Sequence, residues 1–161
     1  MNKRGVTLVE LISVLAIMAI LMTLATLAWN DMQNKAAVEA EAKMMYADLM
    51  GIRLQALYSK RARSVDISGL TFKIYSSEVI TATPLETKNL RYTVVWNTSG
   101  PLKFDAQGLM SGSERSVCIL PTGDTTVVNT AAVDSIVISA ARMNLGRRTG
   151  GDCKSANIDQ K

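Results

Sequence analysis

Apolar residues crowd the front of the chain. From Val6 to Trp29 the one ionisable side chain is Glu10, and a helix of that length rises about 36 Å, enough to cross a hydrocarbon core about 30 Å thick. Lys3 and Arg4 stand ahead of the run, and by the positive-inside rule they hold that end in the cytoplasm while the bulk of the chain is exported. After Trp29 the composition turns polar, yet helix formers continue and no proline interrupts them before Arg63. Val38, Ala42, Met45, Leu49, Ile52 and Ala56 recur at alternating steps of four and three, which lays one apolar stripe along a helix face. The pattern predicts a single helix from about Thr7 to Arg63, with residues 6–29 spanning the membrane and residues 30–63 amphipathic. Gly51 weakens that helix by about 1 kcal/mol relative to Ala, but the stripe runs through it. A coiled coil of about three heptads is the alternative use of the stripe.

Beyond residue 63 the period shortens. Thr71 to Ser76, Val79 to Thr83, Arg91 to Asn97, Arg115 to Leu120, Thr125 to Asn129 and Asp134 to Ala140 are short β-branched or aromatic runs. Turn chemistry separates them at Thr83 to Pro84, Ser99 to Pro101, Ser111 to Ser113 and Pro121 to Gly123. The expected fold class is α+β: a long N-terminal α-helical spine packed against an antiparallel β-sheet head over residues 64–161.

Composition narrows the function. The 161 residues are 48% hydrophobic and 20% charged, with 18 Lys+Arg against 14 Asp+Glu, two Cys and no His. That balance excludes a disordered chain, and the lack of His excludes His-based zinc sites, Ser-His-Asp triads and Cys-His catalysis. No phosphate-binding glycine motif is present. Asp105, Asp124, Asp134 and Asp152 lie in turns or at element starts, where capping roles are common. We therefore expect no enzyme, no cofactor and no metal; calcium at Asp152 or Asp159 lacks a dense ligand loop. The Asn97-Thr98-Ser99 sequon is assigned no role.

The leader itself is more specific. MNKRG precedes VTLVELISVLAIMAILMTL, with Gly5 directly before the apolar run and Glu10 five residues beyond it. This resembles the type IV pilin and pseudopilin superfamily, whose short leader is cut after a glycine while the apolar segment is retained. The resemblance implies that residues 1–5 are a class III leader, that a membrane prepilin peptidase cuts between Gly5 and Val6, and that Val6 is N-methylated. Val6 stands where Phe is usual, and the helix lacks the proline of many major pilins, which points to a minor subunit.

A carboxylate at the membrane centre costs roughly 2.5 to 3.5 kcal/mol on insertion scales, so Glu10 needs either hydration near the interface or a partner. The family implies the partner: the amino terminus of a neighbouring subunit, with Glu10 checking register during assembly. Two further segments, LMGIRLQALYSKRARSVDIS and LKFDAQGLMSG with DSIVISAARMNLGRR, resemble the GspH/FimT group of minor pseudopilins. The implied protein is a structural subunit of a type IV pilus or type II secretion pseudopilus. It would be held in the bacterial inner membrane with its head in the periplasm, and its partners are other pilins, the prepilin peptidase and the assembly platform. A signal-anchored periplasmic protein is an alternative that needs neither Gly5 nor Glu10.

Cys118 and Cys153 sit in an exported head, where an oxidising compartment favours a disulfide. Such a bridge contributes roughly 3 to 4 kcal/mol by loop entropy and pins the C-terminal tail; the alternative is two separate thiols. The tail carries Arg142, Arg147, Arg148, Lys154 and Lys161 against Asp152 and Asp159, and Lys60, Arg61 and Arg63 form a second basic cluster. LGRRTGG resembles the Gly-Arg motif of FimT-like proteins linked to DNA capture, which makes Arg147 and Arg148 candidate phosphate contacts. A solvated edge or contact with acidic neighbours is the other reading.

Overall fold

The computed structural model describes residues 7–80 and 83–161. One helix, α1, runs Leu8–Ser59, and seven strands follow: β1 (Arg63–Tyr75), β2 (Glu86–Trp96), β3 (Leu102–Phe104), β4 (Arg115–Leu120), β5 (Ser135–Ile138), β6 (Met143–Arg148) and β7 (Ile158–Gln160). The chain divides into two units, Met1–Asn34 and Lys35–Lys161.

Within the second unit the strands form one antiparallel sheet in the order β3-β1-β2-β4-β5-β6-β7. The expected helical stripe is its mate: Val38, Ala42, Met45, Leu49, Ile52 and Ala56 are all buried and share a core with Val65, Phe72, Phe104, Ile119 and Ile136. Each fully buried Leu or Ile there contributes about 1.5 to 3 kcal/mol. The stripe thus packs on a sheet rather than in a coiled coil.

Polar clasps flank the stripe. Glu39 accepts a 2.8 Å hydrogen bond from the Ala132 N–H, and Glu41 accepts one of 3.0 Å from the Arg91 N–H. Lys88 pairs with Asp48 at 2.8 Å, Tyr46 donates to the Met143 carbonyl at 3.3 Å, and Arg53 Nε donates to the Gly108 carbonyl at 2.8 Å. These contacts fix the spine's rotation on the sheet, because each is made by a side chain beside the stripe to one particular strand or loop.

The sheet has a second, smaller core on its other face. Cys118, Val137, Cys153 and Ile158 are buried together there, so β4 is buried from Ser116 to Leu120 on both sides. Its cover is the C-terminal segment.

Several expected boundaries change. The helix ends at Ser59 rather than Arg63, because Lys60 takes a left-handed conformation (φ 52°) and the Arg61 N–H bonds to the Ala56 carbonyl at 3.3 Å; that is a Schellman stop built without glycine. β1 is longer than expected and bends near Gly69 (φ 59°), where its register with β2 shifts. The bend is sharp enough for Ser64 Oγ to donate to the Ser77 carbonyl at 2.7 Å. Among the described residues of Val79 to Thr83 there is no strand, and Thr125 to Asn129 is irregular as well. Asp134 to Ala140 shortens to β5, and the following residues form β6 as a separate strand.

Candidate assembly interface

From Leu8 the first unit is helical, and its described apolar side chains face outward. Its best span has a mean hydropathy of 2.5 and none of it is buried; Leu8 is 75% exposed and Ile20 62%. Water does not tolerate such a surface, whereas lipid or neighbouring helices do. The hydroxyls in the run are satisfied internally: Ser13 Oγ donates to the Glu10 carbonyl at 2.8 Å, Thr23 Oγ1 to Ile20 at 2.7 Å and Thr26 Oγ1 to Thr23 at 2.9 Å. Internal satisfaction is what a nonpolar medium demands.

Glu10 lies in the first turn of α1, and its N–H donates to Thr7 Oγ1 at 3.3 Å. Thr7 and Glu10 have the spacing of a capping box, and a carboxylate at that position complements the positive end of the helix dipole. The carboxylate is exposed, so it is placed at a helix start with its charge available to a partner. Gly5 and Val6, the expected cleavage and methylation positions, lie outside the described residues.

The two cysteines are bridged, Cys118 to Cys153, across 35 positions of sequence. Ser116 Oγ donates to the Cys153 carbonyl at 2.8 Å, so a hydrogen bond backs the bridge. Gly146 opposes Gln160 in the β6–β7 ladder; a Cβ there would overlap Ile158 Cγ2 and lie 2.9 Å from the Asp159 carbonyl oxygen. Only glycine lets β7 approach this closely.

The two candidate phosphate-contacting arginines separate. Arg147 is exposed, whereas Arg148 is 1% exposed. The Arg148 guanidinium donates to the carbonyls of Thr125, Val127 and Gly151, and its N–H donates to Asp134 Oδ1 at 2.7 Å. Asp134, itself buried, also accepts from Ser135 Oγ at 2.6 Å and Asn129 Nδ2 at 2.7 Å. This network explains why Thr125 to Asn129 is no strand: its carbonyls are held by an arginine instead of a neighbouring strand. It also corrects the reading of Arg148, whose donors are turned inward and do not reach a phosphate.

The remaining carboxylates serve turns. Asp105 accepts from the N–H groups of Gln107 and Leu109 at 2.9 and 2.8 Å. Asp124 accepts from the Thr126 N–H and hydroxyl, and the first of these bonds leads in holding its carboxyl below the usual range. Asp152 pairs with Lys154 at 3.3 Å. Among the described residues no three His, Cys, Asp or Glu side chains cluster as metal ligands. Asn97 is committed to structure, donating to the Glu114 carbonyl and accepting from the Ser116 N–H.

Comparison with known proteins bears on both ends of this description. The prokaryotic N-terminal methylation motif matches residues 1–26. No curated protein sequence matches the chain. A crystal structure of the type IV minor pilin FimU of Pseudomonas aeruginosa PAO1 superposes with a TM-score of 0.54 at 25% identity, over 67% of this chain and 87% of that one. A second crystal form of FimU gives 0.52 at 24% identity, over 66% and 90%. The chain thus carries the N-terminal methylation motif and is similar in fold to a type IV minor pilin. Type IV pilins are structural subunits rather than enzymes, and they assemble with other pilins. The outward-facing apolar helix suits membrane anchoring in the manner of type IV pilins.

Two features of the site were missed by sequence reading. The Thr7-x-x-Glu10 capping spacing was legible but overshadowed by the membrane question. The Asp134–Arg148 network had no signal, since neither residue's spacing marks a buried pair.

Proposed function

We propose that this chain is a minor pilin or pseudopilin of the GspH/FimT-like kind, cut by prepilin peptidase after Gly5, N-methylated at Val6 and drawn from the inner membrane into a type IV pilus or type II secretion pseudopilus. One observation carries the reading: an exposed apolar helix that begins with a capped, solvent-facing Glu10 is continuous in sequence with a folded, disulfide-bridged head. Such a helix exchanges lipid for neighbouring helices at small net cost. Glu10 selects register, because an acid left unpaired in a dry bundle is strongly unfavourable while one facing a neighbour's amino terminus is not. Beyond residue 35, Ala36, Ala40, Met44 and Ala47 form an exposed apolar line on α1 away from the core stripe, which supports helix-to-helix packing between subunits. The inner-membrane platform and the peptidase are the partners this processing requires.

The test is Glu10→Gln in the full chain, with its amount measured in membranes and in sheared filaments. We expect unchanged membrane levels and a loss from filaments; equal incorporation would overturn the reading. DNA uptake is not favoured by any observation, since Arg148 is withdrawn into the fold.

A further inference from the structure

β1 and β2 stop pairing before either strand ends. Their register runs as far as Gly69 opposite Val94, and at the positions that would follow, Ile67 and Trp96, a side chain replaces the ladder: the Trp96 indole N–H donates to the Ile67 carbonyl at 3.0 Å. The chain path accounts for the parting. β2 and β3 flank β1 on opposite edges, so residues 97–101, which join β2 to β3, cross β1. Ser99 and Gly100 of that crossing, Asp66 and Ser68 of β1, and Trp96 of β2 line a cleft of about 460 Å³. Asp66 is half-buried, and among the described residues no hydrogen bond or ion pair engages its carboxylate or the hydroxyls of Ser68 and Ser99. A carboxylate drawn partly out of water with no partner is unfavourable, and a cation relieves it. Arg115, beside the cleft, does not supply that cation: its guanidinium donates to the Gly100 carbonyl and lies over the Trp96 ring at 5.8 Å.

We propose that this cleft binds a primary alkylammonium group, carried on a lysine side chain or on a free diamine. An ammonium has three N–H donors and no acceptor, and the Asp66 carboxylate with the Ser68 and Ser99 hydroxyls offers acceptors to match. The methylene stem then lies along Trp96, since such stems cover apolar surface while the charged head stays among polar groups. A saccharide suits the cleft less well. It needs an open aromatic face to stack on, and the Trp96 ring is taken up by Arg115 and the main core. The site depends neither on processing at Gly5 nor on assembly.

The test follows the amide and indole N–H signals of the isotope-labelled full chain in neutral detergent micelles as cadaverine or N-acetyl-lysine methylamide is added, with pentanol as the uncharged control. We expect saturable shifts at the Trp96 indole and at the Ser68, Gly69 and Gly100 amides, weakened by salt. Saturation by one of the two amines alone supports the site and identifies which source it takes. Asp66→Asn should weaken binding at least about tenfold, the worth of one hydrogen bond between charged groups. Ser68→Ala should weaken it less, and exposed Asp159→Asn should leave it unchanged. Because no group of this chain engages Asp66, its substitution leaves the fold intact, which unchanged signals away from the cleft report. Shifts that do not saturate, that pentanol reproduces, or that persist undiminished in both Asp66→Asn and Ser68→Ala would each overturn the proposal.

Discussion

The backbone N–H of Arg148 donates to Asp134 Oδ1 at 2.7 Å while the Arg148 side chain reaches away to three carbonyls of the loops that flank it. One residue therefore ties β6, the β5 start and both loops into a single unit. Arg148→Ala would strip buried carbonyls of their donors, at a cost of about 1 to 3 kcal/mol for each group left unsatisfied. Three such carbonyls make a total loss of at least about 3 kcal/mol in denaturant unfolding, against about 0.5 kcal/mol or less for exposed Arg147→Ala. Equal effects of the two substitutions would contradict the assignment.

Cys153→Ser should cost roughly 3 to 4 kcal/mol, the loop-entropy value for a bridge of this span. Because Cys153 also belongs to the small core with Val137 and Ile158, its loss should loosen the C-terminal cover. Limited proteolysis reads this directly: new cleavage between Thr149 and Asn157 in the variant, none in the parent.

Gly146→Ala and Gly51→Ala should differ in sign. The first pushes a methyl into Ile158 and the Asp159 carbonyl, an overpacking worth about 1 to 3 kcal/mol of destabilisation. Adding Ile158→Ala should cost less than the roughly 2 to 5 kcal/mol usual for a buried Ile, because the new methyl already takes part of that side chain's space. The second meets nothing within 4 Å on a helix and should stabilise by up to about 1 kcal/mol. Thermal unfolding of the three variants checks the ranking.

The pH dependence should show the Lys88–Asp48 clasp. The hydrogen bond to Asp48 raises the Lys88 pKa above its ordinary 10.5 and outweighs burial, which lowers it. A raised folded value means the stabilisation is complete below 10.5 and is lost as pH climbs through the folded value. Both partners are part exposed, so the effect is about 1 kcal/mol or less. Lys88→Met should remove that alkaline component when its unfolding curve is compared with the parent's above and below pH 10.5. At the acid end, Asp124, held low chiefly by the Thr126 N–H, keeps its contribution above pH 3.8 and loses it as pH falls through its lower folded value.

Much of this architecture was legible in the residues. The stripe from Val38 to Ala56 was visible because a helix buries one face at a fixed period, and all six positions are buried. β4 was read with its observed ends because Arg115 to Leu120 is β-branched and bounded by turns. Tertiary contacts decided the rest. Thr125 to Asn129 has strand composition, but a buried guanidinium holds its carbonyls. β7 has three residues, too few for a period, and exists because Gly146 admits it and the Cys118–Cys153 bridge delivers it. At the site, Glu10 was conspicuous as a lone acid in an apolar run, whereas the fates of Arg147 and Arg148 depended on which side of a strand each falls.

The mass of the amino-terminal peptide, taken from the chain in sheared filaments, tests the account most directly. The account predicts a peptide that begins at Val6 and carries one added methyl group. An intact Met1 leader, or a chain that begins beyond Trp29, would contradict it.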